Sequence, residues 1–504
     1  TTEIYTLSLH DALPISALFI FVSLLTAGIF WLQAAPVDDR FPAGSTWGGV
    51  SVEGLTIDQA RELVRANYFQ PVTMSYLQDQ IVVPAEALGY SADIDQAVSL
   101  NLESHAERFW RLLWGGQPGP LAITLTPQMD TAAAENFLRN EIAPRYDETV
   151  LPAARIPGTT QFYPGQGGYQ LDVSASAEAI RKALIDDGRH QVDLVVTVTD
   201  QPPVSDDDLT AALKEQIQAV DFRGVAELVI RNLATGQTIH FAWANQQDVP
   251  TGISFSAAST IKIPILTAVM RRTQEPIPEA TTALVERMMV LSENPPADTL
   301  MRDYLGGDTA PLTISDDMQA LGFNDTFLAG FFDFGSPLLK IYDTPANSRS
   351  DINLNPDLYN QTTPQDMADL LTGIYQCAQS GSGVLIDTFS SDFSSSKCQF
   401  MLDEMKKNRI GALIQAGVPD GTPVGHKHGW TEESDGYLHT VSDVGIVFSP
   451  KADFVVSIYL YDYNQLLFDP ADALITRLTQ TAYNAFNLDQ QQDWPFSGYA
   501  FPQY

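Results

Sequence analysis

The sequence predicts an α+β fold: an antiparallel sheet flanked by helices, with an all-α subdomain set between its strands. Small α+β modules precede it, and one transmembrane helix stands near the N-terminus. Three observations predict this. Apolar β-like runs gather at both ends of residues 209–487, helical patterns fill the middle of that stretch, and residues 15–35 carry no charge. Strands segregated from helices read as α+β, whereas strict alternation would read as a parallel sheet. The chain has 504 residues, room for two to four domains at roughly 100–200 residues each.

Composition narrows the classes of function. Asp+Glu number 62 and Lys+Arg 28, a formal charge of −34. A chain this acidic is repelled by phosphate backbones, so nucleic acid is a poor partner. The hydrophobic fraction of 44% allows ordinary buried cores. Two cysteines exclude a disulfide-dense scaffold and any all-cysteine zinc site.

Taking the elements in order, Ile15–Ala35 (ISALFIFVSLLTAGIFWLQAA) is uncharged and 21 residues long, about the ~20 that cross a bilayer as a helix. No Lys or Arg precedes it, so the positive-inside rule does not orient it. A cleaved signal peptide and a permanent anchor both remain open, and the anchor is the expectation. The chain begins with Thr1, and Tyr5–Ser16 (YTLSLHDALPIS) resembles a translated sequencing adapter. Residues 1–14 are therefore set aside as a doubtful start. The polar stretch PVDDRFPAGS reads as a linker outside a membrane. An exported, envelope-associated protein is expected.

Residues 45–120 and 121–200 look like related α+β modules. Leu88–Ile94 (LGYSADI) and Gly167–Val173 (GGYQLDV) share Gly-Tyr-x-x-Asp followed by Ile or Val. Each follows a helix-like segment, Thr56–Asn67 or Met129–Asn140, and each module has a β-rich run, Val72–Tyr76 or Asp193–Val198. Coincidence between two unrelated modules is the alternative. With Gly49–Val64 (GVSVEGLTIDQARELV), residues 45–200 resemble the peptidoglycan-binding modules found ahead of wall-active enzymes. That resemblance implies peptidoglycan as a partner.

The acidic, proline-containing linker Asp200–Asp208 marks a boundary. Beyond it, Ala226–Ile230 and Thr238–Trp243 flank a Gly-containing turn, a hairpin signal. Val444–Phe448 and Phe454–Tyr461 form a second apolar pair, followed by the amphipathic Ala471–Phe486. Residues 488–504, ending DWPFSGYAFPQY, read as either a packed arm or a disordered tail.

The chemistry is concentrated in Phe255–Met270 (FSAASTIKIPILTAVM). Ser259 and Lys262 are three apart, so on a helix they share a face. Lys262 is one of only nine lysines, and apolar neighbours favour its neutral form by desolvation. It would then deprotonate Ser259, a weak nucleophile unaided. A helix N-terminus there would favour negative charge developing near the serine. Two further elements follow in order: Ser292-Glu293-Asn294 after a helical segment, and Lys427-His428-Gly429-Trp430 opening a strand.

At these residues the chain resembles the class A β-lactamases and the related penicillin-interacting peptidases, whose signature is Ser-x-x-Lys, Ser-Asp-Asn and Lys-Thr-Gly. The resemblance covers residues 215–487 and implies the β-lactamase/transpeptidase-like fold. It makes Ser259 the acylated nucleophile, Lys262 its base and Ser292 the proton relay. Asn294 would hold the substrate's acyl side chain, and Lys427 and His428 its carboxylate. The backbone N–H groups of Ser259 and Trp430, beside Gly429, would form the oxyanion hole. No cofactor or metal is implied. The substrate would be a β-lactam or a D-Ala-type peptide.

Three departures from that pattern matter. Glu293 replaces Asp and keeps the charge. His428 replaces a hydroxyl residue with a bulkier, titratable ring. No glutamate lies between Glu293 and Glu404, although class A enzymes use a loop glutamate to activate the deacylating water. The loop Asp343–Thr363 offers only Asp343, Asp351 and Asp357. Acylation followed by slow turnover is the expectation. β-Lactam hydrolysis is the leading activity, with a D,D-peptidase or transpeptidase acting on stem peptides and a non-catalytic receptor as alternatives. His426, His428 and His439 are expected to pack rather than bind metal. In an exported protein Cys377 and Cys398 are expected to join across a Ser/Gly-rich loop, two separate buried thiols being the alternative.

Overall fold

The computed structural model of the chain describes residues 9–34, 40–101, 103–116, 119–493 and 501. Contacts divide it into two units. One comprises residues 1–150 and 167–200, the other 151–166 and 201–504.

The N-terminal unit opens with α1 (Leu9–Gln33), whose Ser16–Gln33 stretch is apolar, long enough to span a bilayer and has no buried residue. In α2 (Ile57–Tyr68) a capping box fixes the start: Thr56 Oγ1 accepts the Gln59 N–H, and Gln59 Oε1 accepts the Thr56 N–H. α3 (His105–Leu113) follows. β1 (Val72–Tyr76) pairs antiparallel with β2 (Asp79–Val83) and parallel with β3 (Gln191–Asp193), so residues from the 45–120 and 121–200 stretches share one sheet. Val72, Met74 and Leu88 are buried there with Leu138, Ile180 and Leu184.

The two Gly-Tyr-x-x-Asp stretches match only in part. Gly89 takes φ +77, a left-handed cap that favours glycine, whereas Gly168 lies within a strand. What repeats is the aspartate. Asp93 Oδ1 accepts the Gln96 N–H and Asp172 Oδ1 the Ala175 N–H, each at the entry to a helix.

The C-terminal unit is built on a six-stranded antiparallel sheet. After α4 (Asp206–Ala219) come β4 (Val225–Asn232), β5 (Thr238–Ala244) and β6 (Gln247–Val249). The chain then makes α5 (Lys262–Arg272), α6 (Glu279–Met289), α7 (Asn294–Leu305), α8 (Pro364–Ser380) and α9 (Ser395–Lys406). It returns as β7 (Val424–Glu432), β8 (Leu438–Val447) and β9 (Phe454–Tyr461), and closes with α10 (Phe468–Phe486). The spatial order is β6-β5-β4-β9-β8-β7, so the two ends of the domain meet at β4 and β9.

Every residue of β9 (FVVSIYLY) is buried, as an apolar run lacking a polar alternation requires. On one face Val229, Val444, Ile446 and Tyr459 pack with Ile265, Val269, Met288 and Leu371 of the helical subdomain. On the other, Leu228, Val441 and Ile458 pack with Leu213, Ile217, Leu474 and Leu478 of α4 and α10. Cys377 and Cys398 are joined, which ties α8 to α9 with Cα atoms 5.8 Å apart. Of the tail, Phe501 packs on Phe222 with ring centroids 4.7 Å apart. Residues 494–500 and 502–504 lie outside the described residues, as do residues 1–8 of the doubtful start and 35–39 of the linker.

Candidate active site

Ser259 does not begin an α-helix. Phe255–Ser256 pairs with Gln361–Thr362, and Ala257 then donates its N–H to Asn360 O at 3.3 Å. A 3-10 turn, Ala258–Ile261, carries the serine ahead of α5. Ala258 sits at φ +47, and Ser292 at φ +58. A left-handed backbone at two non-glycine residues costs free energy that surrounding packing must offset. The tight turn lifts the Ser259 side chain beside the first residue of α5. The face-sharing expected of an α-helix is thus met by a different local geometry.

Five of the side chains singled out by sequence converge. Lys262 Nζ donates to Ser259 Oγ at 2.8 Å, to Ser292 O at 2.7 Å and to Asn294 Oδ1 at 2.8 Å. Ser292 Oγ donates to Ser259 Oγ at 3.0 Å and accepts from Lys427 Nζ at 2.9 Å. The result is one continuous path, Lys427–Ser292–Ser259–Lys262. Asn294 is delivered by the first turn of α7, and Lys427 by β7.

Burial decides the electrostatics. Desolvation pushes the fully buried Lys262 down to about 8, with Asp298 acting the other way. Desolvation also pushes Lys427 down, to about 7, and repulsion from Lys262 adds to the shift. Both amines reach Ser292 Oγ, so the charge on Lys262 bears directly on Lys427.

Sequence reasoning missed the shell around Lys262. Asp298, one turn beyond Asn294 on α7, accepts the Phe332 N–H at 3.0 Å and is itself raised to about 6 by burial. The Phe332 ring lies 5.3 Å from Lys262 Nζ. Thr260 Oγ1 donates to Ala257 O and contacts Tyr459 OH at 2.8 Å, which braces the turn from behind. Only the i, i+4 spacing of Asn294 and Asp298 was visible in the sequence.

The rest of β7 divides between its faces. Gly429 is needed because a Cβ there would lie 2.9 Å from Ala257 O and 3.0 Å from both Ser442 Oγ and Thr260 Cγ2. Its absence lets the strand run against the Ser259 turn. The His428 Nδ1 lies 3.3 Å from Asn408 Nδ2, and the ring stacks on Trp430 at 4.4 Å. Trp430 meets Phe468 edge-on. Burial, aided by repulsion from Lys427, holds the His428 imidazole far below its usual value, so the ring is neutral. His426 Nδ1 bonds the buried Asp443 carboxylate at 2.8 Å, and no group of three or more metal-ligating side chains occurs among the described residues.

The loop carboxylates differ in setting. Asp351 is paired with Arg349 and held down at about 2, first by that hydrogen bond. Asp357 is exposed, yet local desolvation by its neighbours raises it; it accepts the Tyr359 N–H at 2.9 Å and Asn360 Nδ2 at 2.7 Å. Its own N–H donates to Ser256 Oγ at 2.8 Å. Asp343 is exposed.

The C-terminal part of the chain is similar to known proteins. Residues 280–486 match the model of the β-lactamase enzyme family, a span that includes Ser292, Asn294 and Lys427 and begins after Lys262. A β-lactamase of Bacillus licheniformis is 31% identical over 153 residues, 30% of this chain and 46% of that protein. The chain thus matches just under half the length of that curated relative. Among solved structures, a PBP-A point mutant captured as an acyl-enzyme with penicillin G is 21% identical, covering 56% of this chain and 97% of its own, with a TM-score of 0.40. An ancestral class A β-lactamase is 22% identical over 55% of this chain and all of its own, with a TM-score of 0.39. A β-lactamase from Xanthomonas campestris is 19% identical over 56% and 98%, with a TM-score of 0.40. Residues 280–486 of this chain are thus similar to the β-lactamase enzyme family.

Proposed function

We propose that the protein is an exported serine acyl-transfer enzyme that opens β-lactams by forming an acyl-Ser259. The observation that carries this is the hydrogen-bonded path Lys427–Ser292–Ser259–Lys262. Neutral Lys262 takes the Ser259 proton as Oγ attacks the lactam carbonyl. Ser292 passes a proton to the departing nitrogen, and charged Lys427 draws the substrate carboxylate. Asn294 orients the acyl chain, and the N–H groups of Ser259 and Trp430 receive the oxyanion. The bare apolar helix α1 supports export and anchoring. A second reading, a D,D-peptidase or transpeptidase, is favoured by the stretch 294–403, which contains no glutamate.

The test is a fluorescent penicillin and a chromogenic cephalosporin offered to the chain and to Ser259→Ala. Covalent label on the first alone, with cephalosporin turnover, is the expected result. Label without turnover would favour the peptidase reading. No label at all would leave a non-catalytic receptor.

The two lysines also set a pH profile. The fraction of Lys262 able to accept a proton grows as pH rises through about 8, while charged Lys427 is lost as pH rises through about 7. The competent combination is therefore a minor one that peaks between these values, so acylation should follow a narrow bell. Lys427→Arg carries a permanent charge and should remove the alkaline limb. An unchanged bell in that variant, followed by the rate constant of cephalosporin acylation from pH 6 to 10, would refute these assignments.

A further inference from the structure

The helix α3 reads HAERFWRLL and runs into Trp114-Gly115-Gly116. Ser104 and Glu107 fix its start by a reciprocal cap. At 100° per residue, Ala106, Phe109, Trp110, Leu113 and Trp114 fall within an arc of about 140°. Glu107, Arg108 and Arg111 take the opposite side. In a soluble domain such an apolar side is buried against a core. Here no residue of the helix is buried, and Trp110 and Trp114 are 56% and 82% exposed. Phe109, Trp110, Leu112 and Leu113 belong to none of the four core clusters.

What α3 does touch is the end of α1. The Trp31 ring lies 4.3 Å from the His105 ring and 5.2 Å from that of Phe109, and His105 Nε2 bonds Trp31 O at 3.0 Å. The exposed side of α3 is therefore continuous with a helix that has no buried residue from Ser16 to Gln33.

We propose that α3 is an interfacial helix: it lies in the headgroup layer of the bilayer that α1 crosses, and lipid covers its apolar side. The inference rests on the reading of α1 as a membrane span. Tryptophans gather at the membrane–water boundary, and a short helix with aromatic and leucine residues opposite charged ones lies in that plane. Trp31, Trp110 and Trp114 would mark one boundary level. Glu103 and Glu107 balance Arg108 and Arg111, with Arg111 paired to Glu103 at 2.7 Å. The attachment is accordingly apolar and needs no anionic lipid.

The test uses the full chain in phosphatidylcholine vesicles. Both native cysteines are consumed in one disulfide, so a single introduced cysteine takes a nitroxide label uniquely. Ala106→Cys leaves both tryptophans in place, Trp110→Cys reports the centre of the apolar side, and Phe334→Cys, at a fully exposed position, gives the aqueous reference. Power saturation with oxygen and with a water-soluble nickel chelate should give an oxygen-to-nickel accessibility ratio at least fivefold higher at positions 106 and 110 than at 334. Equal ratios in a chain that floats with the vesicles would overturn the interfacial helix and leave α1 as a span. Protection from both reagents would mean that protein covers the helix and would likewise overturn it. A chain that does not float would remove the membrane reading, and this inference with it.

Discussion

Lys262→Ala is expected to slow acylation of Ser259 by a labelled penicillin by about 10³-fold, the middle of the range for loss of a positioned base, or about 4 kcal/mol of barrier. Lys262 Nζ is 2.8 Å from Ser259 Oγ, and among the described residues no imidazole hydrogen-bonds that oxygen. Ser292 already donates to Ser259, so it cannot receive the proton without first giving up its own. Lys262→Arg separates basicity from charge. Arginine keeps the positive field but does not lose a proton at accessible pH. If Lys262 acts as base, the arginine variant stays as slow as alanine; restoration to within tenfold of the native rate would show that only charge or packing matters there. Thermal unfolding of both variants provides the control, because the buried amine also bridges Ser292 O and Asn294 Oδ1.

How far this site could be read from sequence depends on the kind of signal. Ser259 with Lys262, and Ser292 with Asn294, are short spacings, and β7 announces itself by composition, so the parts were legible in order along the chain. Their assembly was not. Lys262 and Lys427 are 165 positions apart, and only the sheet order, with β9 inserted between β4 and β8, brings both to Ser292. The lowering of Lys427 by Lys262 therefore leaves no trace in any local pattern. Asp298 and Phe332 are equally hidden, since each matters through the turn of α7 and the loop packed on it. The same limit applies in the N-terminal unit. The Gly-Tyr-x-x-Asp repeat turns out to hold two helix entries through Asp93 and Asp172, yet the two glycines do different jobs. The parallel pairing of β1 with β3 joins residues more than a hundred positions apart, and no periodicity could have shown it.

Asp357→Asn is expected to lengthen the life of the acyl-enzyme by about two to three orders of magnitude, within the range for loss of a general base. An ester on Ser259 needs an activated water, and with no glutamate from 294 to 403 the candidates in the loop are three aspartates. Asp351 is a poor base, held near 2 by Arg349. Asp343 is solvated and exposed. Asp357 is exposed as well, but local desolvation raises its carboxyl, which brings a carboxylate nearer the basicity that proton abstraction requires. Its backbone is pinned to Ser256, three residues before the nucleophile, and Asn360 holds its carboxylate while that residue's carbonyl accepts the Ala257 N–H. The shorter side chain is thus compensated by a backbone drawn toward the serine turn. The measurement is the decay of the fluorescent penicilloyl adduct after a chase, in Asp357→Asn beside Asp351→Asn. Slow decay in the first and native decay in the second would support the assignment. Native decay in both, and in a variant that also carries Asp343→Asn, would exclude the loop carboxylates and leave the acyl-enzyme to hydrolyse without one of them, which is the behaviour of a penicillin-trapped peptidase rather than of a β-lactamase.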